Sequence, residues 1–143
     1  MKTFDEIRKD PPGTTYIDRI EEGIRFIVMR GPGALCAYVS IVGNIGKILH
    51  VENALDQTRQ ELDLNCHGGV TLEGTSSFLP DGYWYGWDYA HAGDRLMFDI
   101  HLETKYGPIG DKEWTPEMVD EDSKEAREQM KEYVKLKLEE RNV

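Results

Sequence analysis

The stretch Ile24-Arg25-Phe26-Ile27-Val28-Met29-Arg30-Gly31-Pro32-Gly33-Ala34-Leu35-Cys36-Ala37-Tyr38-Val39-Ser40-Ile41-Val42 decides the fold class. Residues 24–29 and 34–42 are apolar runs rich in β-branched side chains. Gly31-Pro32-Gly33 between them forces a reversal, so the stretch predicts a β-hairpin or a pair of adjacent strands.

Working outward, period-2 alternation recurs three times. Leu62, Leu64 and Cys66 alternate with Asp63 and Asn65, and Val70 and Leu72 resume the pattern after Gly68-Gly69. This reads as a half-buried strand with a bulge or a close backbone approach at the paired glycines. Residues 83–89 place Tyr83, Tyr85, Trp87 and Tyr89 on one face of a strand, and Trp84, Gly86, Asp88 and Ala90 on the other. Residues 96–102 predict a further strand, with Leu96, Phe98, Ile100 and Leu102 inward and Met97, Asp99 and His101 outward. Residues 51–61 suit one or two helical turns, since Val51, Ala54, Leu55 and Thr58 share a helical face.

The period changes decisively after Trp114. Thr115 is a good N-cap, Pro116 fits the first helical position, and Glu117, Asp120 and Glu121 complement the positive helix start. Val119, Ala126, Met130, Tyr133, Val134 and Leu138 form an apolar stripe that must dock on something, and the sheet is the simplest partner. The expected architecture is α+β: a mainly antiparallel sheet with a long C-terminal helix packed on it. Residues 1–143 form a single domain, with residues 1–15 a polar arm ending in Pro11-Pro12-Gly13 and residues 115–141 the helix.

The net charge of −10 disfavours direct binding to nucleic acid or to an anionic membrane, because phosphate binding needs clustered Lys and Arg. No run approaches the ~18 apolar residues of a membrane span. The N-terminal Met-Lys-Thr-Phe-Asp-Glu has no apolar signal region, and there are two cysteines, Cys36 and Cys66. These features predict a cytoplasmic location with free thiols.

Chemistry-bearing residues concentrate between Cys66 and His101. His67, Asp88, His91 and Asp94 are the acid–base candidates, and a divalent metal held by those four, serving a hydrolase, is one reading. No other cofactor is implied. Catalysis by Cys66 is a weaker reading, because Cys66 shares its strand face with Leu62 and Leu64 and reads as a small core residue. The favoured reading is a small planar ligand bound by His67, Gly68, Gly69, Trp84, Trp87, Asp88, His91 and Asp94. Aromatic faces, glycine backbone donors and a nearby Arg (Arg30, Arg59 or Arg95) are what a nucleotide needs. A third reading is an acidic blocker of a protein partner, presenting Glu121, Asp122, Glu125, Glu128 and Glu132 on the C-terminal helix. Cover for the second face of the aromatic strand could come from another copy of the chain.

Four pieces occur in order: Leu-Cys-x-Tyr-Val (Leu35 to Val39), His-Gly-Gly-Val-Thr (His67 to Thr71), Trp-Tyr-Gly-Trp-Asp-Tyr-Ala-His-Ala-Gly-Asp (Trp84 to Asp94) and Trp-Thr-Pro-Glu (Trp114 to Glu117). From Leu35 to the C-terminal helix the chain resembles a family of small proteins of bacteriophages and bacterial mobile elements. It departs from that family's pattern at residues 43–50. The resemblance implies a setting, not a chemistry: an accessory protein in the host cytoplasm that counters a defence by sequestering a signal nucleotide or occluding a host protein.

Overall fold

The hairpin expected at residues 24–42 lies at the centre of the molecule. The computed structural model describes residues 1–46, 63–98 and 100–141. Strands β1 (Thr15–Glu21), β2 (Ile24–Arg30) and β3 (Leu35–Ile41) are followed by a short β4 (Leu72–Gly74) and by β5 (Trp84–Asp88). They form one sheet in the order β1-β2-β3-β5-β4, with every neighbouring pair antiparallel. A short helix α1 (Phe4–Ile7) precedes the sheet, and α2 (Ile100–Tyr106), α3 (Pro116–Asp122) and α4 (Lys124–Arg141) follow it. The fold is therefore α+β, with helices α3 and α4 on the sheet over β2 and β3.

Strand alternation sorts the apolar side chains into two cores. Ile24, Phe26 and Val28 of β2, Leu35, Ala37 and Val39 of β3, and Tyr85 and Trp87 of β5 face the helices. They meet Val119, Ala126 and Met130, all fully buried. The opposite face carries Ile27, Met29, Tyr38 and Trp84, and Leu79 from the loop before β5 closes over them. Both faces of the aromatic strand are thus covered by this chain itself. Gly86 makes the second core possible. A Cβ there would lie 2.6 Å from the Tyr38 ring, so that ring packs directly over the glycine of the neighbouring strand.

Four expectations need correction. Residues 1–15 are not a free polar arm: a capping box between Thr3 and Glu6 starts α1, and Phe4 and Ile7 are buried in the main core. Residues 63–66 are not a strand. Leu64 is buried, but the Asn65 N–H donates to Gln129 Oε1 on α4 at 2.6 Å instead of to a strand neighbour. Residues 96–98 and 100–102 are not a strand either. The Leu96 and Met97 N–H groups donate to the Ile109 and Gly33 carbonyls, Met97 is buried, and the chain then turns into α2 with Leu102 exposed. The C-terminal helix starts at the Thr115 cap as expected, yet Ser123 divides it into α3 and α4. Strand β1 had no counterpart in the sequence reading, and the turns expected at residues 51–61 lie outside the described residues.

Charged side chains fasten the layers. Arg19 of β1 makes a bidentate pair with Asp120 of α3, and Arg127 of α4 reaches the same carboxylate at 2.9 Å while lying over the Phe26 ring. Arg30 is only 4 % exposed, and its guanidinium donates to the carbonyls of Ile7, Arg8, Gly31 and Met97. It clasps α1, the hairpin turn and the segment before α2 together.

The helical stripe is buried at Met130 (0 % exposed) and runs out at Leu138 (43 % exposed). Met130→Ala should therefore lower the unfolding free energy by about 2–5 kcal/mol in urea denaturation. Leu138→Ala should change it by less than about 0.5 kcal/mol. Equal losses would mean that the helix docks through a different face.

Candidate functional site

At the exit of β5 the chain turns sharply and brings Asp94 back under the site. The Asp94 N–H donates to the His91 carbonyl at 2.9 Å, and Gly93 takes φ +93°. A loop from residues 107–112 then buttresses the turn from below. A Cβ on Gly110 would lie 1.8 Å from the Asp94 carbonyl oxygen, so only glycine permits this approach. Residues 66–69 form a second turn beside it, closed by the Gly69 N–H on the Cys66 carbonyl at 3.1 Å. Gly68 sits in its third position with φ +70°, the left-handed conformation that glycine adopts without penalty.

These turns bring together the four acid–base side chains singled out in the sequence. His67 Nε2 lies 2.6 Å from Asp94 Oδ2, and His91 Nε2 lies 3.2 Å from Asp88 Oδ1. The His67 and His91 rings are 5.5 Å apart, edge to face. The contact between His91 and Asp88 is close but off hydrogen-bond geometry, so His91 Nε2 is a buried atom without a directed partner. That ring packs straight onto Gly68, where a Cβ would come within 2.0 Å of Nε2. Gly68 is therefore required twice, by its dihedral and by this contact.

Asp94 is 4 % exposed and accepts from every side. Besides His67, the His91 N–H donates to Oδ2 at 3.0 Å and the Trp114 indole N–H donates to Oδ1 at 2.8 Å. Burial pushes this carboxyl up, but the His91 N–H, the His67 imidazole and the Trp114 indole outweigh it and hold it below its ordinary value. The His67 ring stacks on Tyr89 at 4.7 Å and 8°, and Trp114 meets its edge at 5.1 Å. Tyr89 is fixed in turn by donating to Asp122 Oδ2 and accepting from Trp87 Nε1.

The aromatic part of the expected site lies apart from the acid–base cluster. Trp84 and Trp87 are each 1 % exposed and fill the two opposite cores, with their indole N–H groups given to the Pro80 carbonyl and to Tyr89. Trp84 helps line a separate, mostly apolar hollow of about 270 Å³ with Ile41, Val42 and Tyr83. Gly68 and Gly69, by contrast, are both exposed, and His67, Asp88 and His91 are partly so. Tyr89, Trp114 and Thr71 belong to the cluster but were absent from the expected site. Trp114 carried a signal, since an indole immediately before a helix N-cap sits where the chain enters the core.

Other expected chemistry fits less well. Among the described residues no group of three or more His, Cys, Asp or Glu side chains is arranged to hold a metal ion. The reason is local: both Asp94 oxygens and His67 Nε2 are already committed to one another and to Trp114 and His91. Cys66 is not an activated nucleophile. Burial, followed by Asp122 and Asp63, pushes its thiol up to about 11. Among the described residues no helix is long and apolar enough to cross a membrane.

Because the folded Asp94 carboxyl titrates below its ordinary value of 3.8, its contribution to stability is complete above about pH 4 and is lost as the pH falls further. Asp94→Asn should cost about 3 kcal/mol at pH 7, and the gap from the parent protein should narrow towards pH 3 in urea denaturation. A gap independent of pH would show that folding leaves the Asp94 pKa unchanged, and a gap that widens towards pH 3 would show that folding raises it. Comparisons of the chain with family models, with curated proteins and with solved structures returned no match.

Proposed function

We propose that the protein binds a small ligand on the surface formed by His67, Gly68, Gly69, Asp88 and His91, with Asp94 as its buried anchor. One observation carries this reading. The remaining nitrogen of His67, Nδ1, meets no protein partner among the described residues, while Nε2 and one ring face are tied down and Trp114 meets the ring edge. An imidazole used only as a structural post has no need to be held so firmly with one nitrogen left open beside two exposed glycines.

The ligand class suggested by the resemblance is a nucleotide signal of bacterial immunity, sequestered by a phage-type accessory protein. The surface would engage such a molecule through its base. Asp88, Asp94 and Asp122 surround the site, so phosphates would be repelled unless they point away from it, towards the Lys112 ammonium over Trp114. Donor groups on a planar base fit the open His67 Nδ1 and the Asp88 carboxylate. The acidic-blocker reading keeps a narrower basis. Glu121, Asp122, Glu125, Glu128 and Glu132 are exposed, but Lys124 and Lys131 already pair with two of them.

Thermal shift and imidazole proton NMR against cyclic dinucleotides, cyclic trinucleotides and ADP-ribose derivatives test the proposal. At least one should raise the melting temperature and move the His67 and His91 resonances. Gly68→Ala, which displaces the His91 ring, should abolish both responses. Ligand responses confined to residues around Tyr83 and Ile41 would place binding in the apolar hollow instead.

A further inference from the structure

We propose that His67 and Asp94 form a general-base dyad, in which a molecule seated beside Gly68 and Gly69 gives a proton to His67 Nδ1. This rests on the reading that the cluster is a ligand site, and it adds a reaction to that site.

The protonation states follow from what each neighbour can do. The Trp114 indole N–H and the His91 backbone N–H are donors only, and each is aimed at a different Asp94 oxygen. An N–H donor aimed at each oxygen favours the ionised carboxylate, so the 2.6 Å contact is assigned as His67 Nε2–H donating to Oδ2. In the neutral ring Nδ1 then carries the lone pair. The buried carboxylate keeps the ring in that tautomer, stabilises the imidazolium once a proton has arrived and does not itself take up the proton. These are the roles of the acid in a His–Asp pair. The stack on Tyr89 and the edge contacts to Trp114 and His91 fix the ring plane, so Nδ1 is presented in one direction.

The substrate class follows from charge. Asp94 on His67, Asp88 on His91 and Asp122 behind Tyr89 disfavour a phosphodiester at the reacting position and favour an uncharged acyl ester. A water O–H bond breaks and its proton passes to Nδ1 while the water oxygen bonds to the acyl carbon and the carbonyl π pair moves onto the carbonyl oxygen, a pair that returns on collapse. On collapse the bond to the leaving alkoxide or phenoxide breaks, and that group takes the electron pair. The imidazolium returns its proton to the leaving group or to solvent. The titratable groups facing the ring are Asp94, His91 backed by Asp88, and Tyr89 backed by Asp122.

The test uses p-nitrophenyl acetate with the full chain, and His67→Gln, Asp94→Asn and the distant control His101→Gln. Hydrolysis should exceed that by equimolar free imidazole by about tenfold or more, the low end for positioned acid–base groups. It should be slower in D₂O, collapse in His67→Gln, fall in Asp94→Asn and survive in His101→Gln. If His67→Gln does not fold, the intact protein still decides. Its rate should rise with pH and level off once the imidazole is neutral. A rate no greater than free imidazole, one unchanged by His67→Gln, or one that climbs without a plateau overturns the dyad. A nucleotide-induced shift of the His67 resonance alongside such a failure would leave the binding site standing without the reaction.

Discussion

A buried carboxylate is stable only when hydrogen-bond donors replace the water it has lost. Asp94 draws those donors from three places in the chain: the imidazole of His67, the main chain at His91, and the indole of Trp114 just before α3. The three are far apart in sequence, so satisfying one side chain fixes the 63–71 segment, the exit of β5 and the entry of the C-terminal helix relative to one another. That explains how stretches without regular secondary structure hold the positions of His67 and His91. Their order comes from a shared acceptor, not from a ladder of backbone bonds.

Filling both faces of the sheet has a second effect on the site. Because Trp84 and Trp87 point into opposite cores, the aromatic strand serves as framework. Its chemistry is displaced to its end, where Asp88 leaves the sheet and His91 and Asp94 follow in a turn. The site is thus built on a rigid strand terminus and two glycine-containing turns. Tyr89 and Trp114, at the boundary, take part in both the core and the site.

Much of this was legible in the sequence because it depends on period and on local chemistry. The hairpin, the alternation of Trp84 against Tyr85 and Trp87, and the Thr115-Pro116 helix start each follow from a few adjacent residues. The meeting of His67 with Asp88, His91 and Asp94 was also readable, since paired glycines and the exit of an aromatic strand are both places where backbones approach closely. What could not be read depended on distant partners. Leu64 and Cys66 alternate like a strand, yet the partner of Asn65 is Gln129, on a helix. Residues 96–98 are held by carbonyls from Gly33 and Ile109, and the burial of Trp84 and Trp87 depends on what covers each face. Strand β1 was missed because an edge strand with one wet side and several charges carries little hydrophobic signal.

The clasp made by Arg30 bears on how the protein can come apart. Its charge is shielded by carbonyls from Ile7, Arg8, Gly31 and Met97, so it is stable in the interior only while three separate segments are in place at once. Peeling away the first eight residues would leave a guanidinium half-desolvated and short of acceptors, a cost that falls on the hairpin and on the approach to α2 as well. Loosening of the first eight residues is coupled through this one guanidinium to the central strands.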